Sequence, residues 1–169
     1  MTIYVALLRA VNVGGTGKLP MEKLRALCAD AGFAEVETYI ASGNVVFESK
    51  ASASRVKSEL EQRLLPLLGK SARAAIRTRP EMRAVLEANP FPQAAPNLTY
   101  AFFLDQRPPA DTLDHVTGMA GEEIGLGARE IFVHYPHGMG KSKLRIPAAK
   151  DGTARNMNTV AKLVEMSSK

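Results

Sequence analysis

The sequence predicts an α+β protein built as a duplicated ferredoxin-like fold, a βαββαβ half followed by an incomplete βαββα copy, with antiparallel sheets and packed helices. Three observations lead there. Short apolar or alternating runs have strand length, helical periodicity separates some of them, and the same order of elements recurs in the second half of the 169-residue chain.

The first half opens with "TIYVALLR", a continuous apolar run that reads as a strand buried on both faces. "PMEKLRALCADAG" follows with helical spacing, Pro20 near its first turn and Gly32 as its stop. Met21, Leu24, Leu27, Cys28 and Ala31 share one face of it, so Cys28 reads as a small buried apolar residue rather than a reactive thiol. "EVETYIAS" alternates, "SGN" turns and "VVFES" returns, which is a hairpin. A helix over residues 52–68 runs through Val56, Leu60, Leu64 and Leu67, and "ARAAIRT" alternates with Arg73 and Arg77 on one side. This order places strands 1 and 3 in the centre of a sheet and strands 2 and 4 at its edges. The apolar central strands and charged edges agree with that.

The second half starts from a bridging helix, "RPEMRAVLEANP". An apolar strand "NLTYAFFLD", a short helix "PADTLDHVTGM", a weak edge strand "EEIGLG" and an apolar strand "REIFVHYP" come next. The helix "TARNMNTVAKLVEM" closes the chain, with Thr153 as its cap and no obvious last strand before it. The expected organisation is a first half over 1–79, a bridging helix and linker over 80–95, and a second half over 96–169 forming one unit with the first.

Composition narrows the function classes. With 46% hydrophobic and 23% charged residues the chain is not broadly disordered, and no run approaches the ~20 apolar residues of a membrane span. "MTIYVALL" lacks a basic leader, so a cytoplasmic protein is expected, without membrane partners. A single cysteine excludes an internal disulfide and a cysteine-rich metal site. The formal net charge is +5, and it is concentrated: Lys141, Lys143, Arg145, Lys150, Arg155 and Lys162 face one acid, Asp151, while Lys70, Arg73, Arg77, Arg79 and Arg83 face Glu81.

Polar motifs gather at the ends of strands. "RAVNVGGTGK", residues 9–18, lies between the first strand and the first helix, where backbone N–H groups and a helix N-terminus favour anions. It fails the phosphate-loop pattern, because Asn12 stands at the first glycine and Leu19 at the hydroxyl. "HGMGKSKL" comes nearer with Gly140, Lys141 and Ser142, yet Tyr135 occupies the first glycine position and Pro147 follows. A looser anion nest is the remaining functional reading of both loops. Ser42, Gly43 and Asn44 read first as a hairpin turn. Arg155, Asn156, Asn158 and Thr159 crowd what reads as a first helical turn, more polar groups than capping needs. His134 and His137 have no third ligand at suitable spacing, so no metal and no cofactor is expected, and no catalytic set can be named.

These segments together, "ALLRAVNVGGTGKLPMEKLRALCADAGF", "TYIASGNVVFES", "ANPFP", "REIFVHYPHGMGKSKL" and "TARNMNTVAKLVEM", resemble the bacterial family known as domain of unknown function 1697 over essentially the whole chain. The family pattern is matched at Arg9, Asn12, Val13, Gly14, Gly15, Ser42, Gly43, Asn44, Ser142, Lys143, Leu144, Arg155, Asn156, Asn158 and Thr159. Ala10 stands where glycine is usual and Met157 where tryptophan is usual. The resemblance implies the duplicated α+β fold and no particular activity.

The function expected from these residues is binding of a small anionic ligand, bearing phosphate or carboxylate, or of a nucleotide. The candidate ligand-binding residues are Arg9, Asn12, Gly14, Gly15, Ser42, Asn44, Lys141, Ser142, Lys143, Arg155, Asn156 and Asn158. The alternatives are a nucleic-acid-binding module using the basic surface, or a protein-interaction domain without catalysis, as monomer or homodimer.

Overall fold

The apolar run Ile3 to Leu8 forms the middle of a sheet because both of its faces are buried, as β1 (Thr2–Leu8) in the computed structural model, which describes residues 1–9, 19–39, 43–69 and 72–168. The loop containing Asn12, Gly14 and Gly15, and Ser42 of the hairpin, lie outside the described residues. α1 (Met21–Asp30) starts at Pro20 and stops where expected. Its last carbonyls are taken by the Gly32 N–H, donated to Ala29 O (3.0 Å), and the Phe33 N–H, donated to Cys28 O (3.1 Å). That closure needs the left-handed Gly32, φ +87°, and drops Phe33 into the core, where its ring stacks on Phe47 at 4.3 Å.

β2 (Ala34–Tyr39), β3 (Asn44–Ser49), α2 (Ala53–Leu68) and β4 (Ala74–Thr78) complete the first sheet in the order β2-β3-β1-β4, all pairs antiparallel. Strands 1 and 3 are central and 2 and 4 lie at the edges, as the sequence order requires. α1 and α2 cover one face: Leu24, Cys28, Val56, Leu60 and Leu64 pack on Tyr4, Ala6, Leu8, Val45 and Phe47. Cys28 is fully buried, and burial pushes its thiol up to about 12. The native protein is therefore expected to resist an aromatic disulfide reagent at pH 8 and to react at once in denaturing urea. Rapid reaction of the folded protein would contradict the packing role.

The second sheet consists of β5 (Thr99–Phe103), β6 (Glu123–Leu126), β7 (Glu130–His134) and β8 (Thr153–Asn156), in the order β6-β7-β5-β8. It repeats the first sheet strand for strand. Tyr4 of β1 faces Phe47 and Thr78, and Tyr100 of β5 faces Val133 and Asn156. Each fourth strand then runs into a helix, β4 into α3 (Arg79–Glu87) and β8 into α4 (Met157–Ser167). The entry is capped alike in both. Thr78 Oγ1 accepts the Glu81 N–H (3.4 Å) while Glu81 Oε1 accepts the Thr78 N–H (2.8 Å), and Asn156 Oδ1 accepts the Thr159 N–H (2.9 Å).

Two expected elements differ. The closing helix begins at Met157 rather than Thr153, because Thr153 and Arg155 point to the buried side of a strand paired with β5. The second copy is thus complete in its strands. The expected helix in "PADTLDHVTGM" is only a 3₁₀ turn, Thr112–His115, and the apolar residues that would have anchored it, Leu113 and Met119, are exposed. Further 3₁₀ turns, Met139–Lys141 and Pro147–Ala149, stand between β7 and β8 where the first half has α2. The chain divides into two units, Met1–Arg83 with Leu163–Lys169, and Ala84–Lys162. Among the described residues, no helix is long and apolar enough to cross a membrane.

Candidate functional site

The segment after β7 folds back by short local bonds. The Gly138 N–H donates to Tyr135 O (3.0 Å), the Ser142 N–H to Met139 O (3.2 Å), and Arg145 pairs with Thr117 through two backbone bonds of 2.8 and 3.1 Å. That pairing lays Lys143 against Gly118, whose φ is +75° and whose missing side chain is what allows the approach. A cleft of about 350 Å³ opens beside it, lined by Gly118, Met119, Ala120, Glu122, Tyr135 and His137, and by Gly138, Lys141, Ser142 and Lys143.

Inside the cleft the polar groups are tied together. Ser142 Oγ donates to Glu122 Oε2 (2.5 Å) and accepts the Leu144 N–H (3.1 Å), and Glu122 Oε1 accepts the Ala120 N–H (2.5 Å). The Ser142 hydroxyl, then the Ala120 N–H and the residue's own N–H, hold the Glu122 carboxyl below the usual carboxylate range, against the opposing effect of burial. A carboxylate so satisfied positions Ser142 and is a weak base. Burial, then the charge of Glu122 and the neighbouring Tyr100, push the Tyr135 phenol up to about 12. Tyr135 therefore stays a neutral donor, edge-on to Tyr100 with ring centroids 5.7 Å apart.

A carboxyl such as that of Glu122, whose folded value lies below its ordinary 4.5, contributes stability above that pH, and the contribution is lost as pH falls through the folded value. Ser142→Ala removes the largest cause of the shift. Urea unfolding of wild type and Ser142→Ala from pH 7 to pH 3 is expected to show a stability gap that narrows below about pH 4.5. A gap independent of pH would mean that the hydrogen bond does not perturb the carboxyl.

Of the expected site residues, the structure brings Lys141, Ser142 and Lys143 together. Asn44 is fully buried and donates from Nδ2 to Tyr39 O (3.0 Å), which fixes the hairpin. Asn156 caps α4, and Asn158 is exposed on its first turn. Arg155 is buried within β8, with Nη1 donating to Ala154 O (2.9 Å). Arg9 is half-buried and its N–H donates to Arg73 O (3.0 Å). Glu122, Tyr135 and His137 complete the cleft without having been singled out as ligand-binding residues. Tyr135 and His137 stand in the same "YPHGMGKSKL" stretch, whereas Glu122 comes from a segment with no motif of its own. His134 does not join His137 in the lining: its Nδ1 lies 3.7 Å from Glu123 across the strands. Among the described residues, no group of three or more His, Cys, Asp or Glu is placed to hold a metal ion.

Fold and site define a duplicated α+β protein whose second unit carries a cleft rich in cationic and hydroxyl groups. The chain belongs to the family described as "Protein of unknown function (DUF1697)", whose model matches residues 1–132, as its motifs suggest. The match ends just before the "YPHGMGKSKL" loop. In structure the chain is similar to the conserved bacterial protein SP0830 from Streptococcus pneumoniae, with 25% identity and a TM-score of 0.82 over 100% of this chain and 99% of that one. Comparison with curated proteins finds no match.

Proposed function

We propose that the unit Ala84–Lys162 binds a small anionic ligand, bearing phosphate or carboxylate, in the cleft between the Gly118–Glu122 segment and the Gly138–Lys143 loop. The observation that carries this reading is the lining itself: Lys141, Lys143 and His137 meet one carboxylate, Glu122, whose oxygens are already engaged by Ser142 and Ala120. Two lysines against one carboxylate already engaged by hydrogen bonds favour an anion. Burial of Arg77 and Arg155 thins both basic stretches, and Tyr4 and Phe47 are covered rather than offered to bases. Both facts favour the small ligand over a nucleic acid.

Calorimetric titration with inorganic phosphate at fixed ionic strength tests the reading. Lys141→Ala with Lys143→Ala is expected to weaken binding about tenfold or more, 1.4 kcal/mol or above. Equal binding by wild type and the double variant, or none by either, would overturn it.

A further inference from the structure

The two sheets present equivalent faces and cover them differently. In the first, Leu24, Cys28, Val56, Leu60 and Leu64 of α1 and α2 close the face completely, each 0% exposed. In the second, the matching face holds Tyr100, Phe102, Ile131, Val133 and Tyr135, and its cover is irregular chain contributing Met139, Leu144, Ile146, Ala148 and Ala149. Two 3₁₀ turns cannot fill the space of a sixteen-residue helix.

The unfilled space is a second cleft of about 260 Å³, lined by Phe102, Tyr135, Met139, Leu144, Ile146 and Ala149, with Ser142 and Lys150 as its polar members. Tyr135 and Ser142 also line the cationic cleft, so the two clefts adjoin at these residues. An apolar void of about 150 Å³ already accepts benzene, so this one has room for one aromatic ring or a chain of about six carbons.

We infer that the ligand is a monomeric amphipathic anion, with its phosphate or carboxylate on the His137, Lys141 and Lys143 side and one ring or short alkyl chain against Phe102, Leu144 and Ile146. The inference rests on the anion-site reading above. It adds the chemical class of the uncharged part, which that reading leaves open.

Titration with inorganic phosphate, ethyl, butyl, hexyl and decyl phosphate, and phenyl phosphate tests it, all below their micelle concentrations. Affinity is expected to rise about threefold to fourfold per buried methylene, which is roughly a hundredfold from ethyl to hexyl phosphate, and then to level off once the cleft is full. Phenyl phosphate is expected to match the hexyl compound. Ala149→Leu, at a residue that lines the apolar cleft and not the cationic one, is expected to remove the alkyl gain while leaving inorganic phosphate binding unchanged. The chain-length series in wild type stands whether or not that variant folds. Phosphate binding with no gain from any chain overturns this inference alone, whereas failure of every probe overturns the anion site as well. A gain that continues undiminished to decyl phosphate, or co-sedimentation with phosphatidylglycerol vesicles, would indicate a lipid surface and overturn the free-ligand assignment.

Discussion

Arg77→Ala is expected to destabilise the protein by about 3–5 kcal/mol, more than Arg77→Met, in urea unfolding at neutral pH. Arg77 is 1% exposed and among the largest fully buried side chains, although an arginine on an edge strand would ordinarily face water. Its Nη1 donates to the carbonyl of Ile76 at 2.9 Å. Alanine removes that donor and leaves a void, while methionine fills most of the void and costs about 1–3 kcal/mol for the unsatisfied carbonyl. The same ranking is expected at Arg155, which occupies the matching place in the second sheet. Arg77 faces Val5 as Arg155 faces Ala101, and both donate to the preceding carbonyl at 2.9 Å. Burial pulls Arg155 down to about 10, which leaves it charged at neutral pH. Methionine variants as unstable as the alanine ones would show that charge, not volume, governs these positions.

The repeat of this arginine explains why the duplication was only partly legible in the sequence. Wherever one residue type met one environment, the reading held: "TIYVALL" and "VVF" had to be central, and the spacing of Val56, Leu60 and Leu64 had to be a helix. "TARN" misled because Thr, Arg and Asn read equally as a helix cap or as a short strand. Pairing with β5, a contact far away in sequence, decided for the strand, and the capping duty moved to Asn156. The basic stretches misled for a related reason. Charge counts say nothing of burial, and Arg77 and Arg155 are buried by tertiary structure that no local window contains.

The cationic cleft was legible in one part and not in another. Ser142 and Lys143 announce themselves through a dense local motif, with Tyr135 and His137 in the same stretch. Glu122 joins them only because Thr117 and Arg145 pair, bringing together segments twenty or more residues apart. A single sequence carries no periodicity for that contact. That the second sheet has no matching helix pair among the described residues was equally hidden, since a segment that fails to be helical leaves no positive signal for a cleft.

Gly118→Ala is expected to cost about 3 kcal/mol and to weaken phosphate binding at least tenfold, because the pairing of these segments depends on one glycine. A methyl group there would fall on the carbonyl oxygen of Lys143, well inside contact distance, and 2.7 Å from its carbonyl carbon. The obstacle is backbone, so no rotamer change relieves it. The φ of +75° adds about 1–2 kcal/mol of strain for any residue with a Cβ. Relief requires Lys143 to move, which breaks the two Thr117–Arg145 bonds and carries Ser142 away from Glu122. Gly140→Ala is the matched control: it lies in the facing Gly138–Lys143 loop, and nothing stands within 4 Å of a methyl group there. That change is expected to stay within about 0.5 kcal/mol and to leave phosphate affinity intact. If Gly118→Ala behaved like Gly140→Ala in unfolding and titration, the cleft would not depend on this close approach, and the loop would be holding its lysines by some other means.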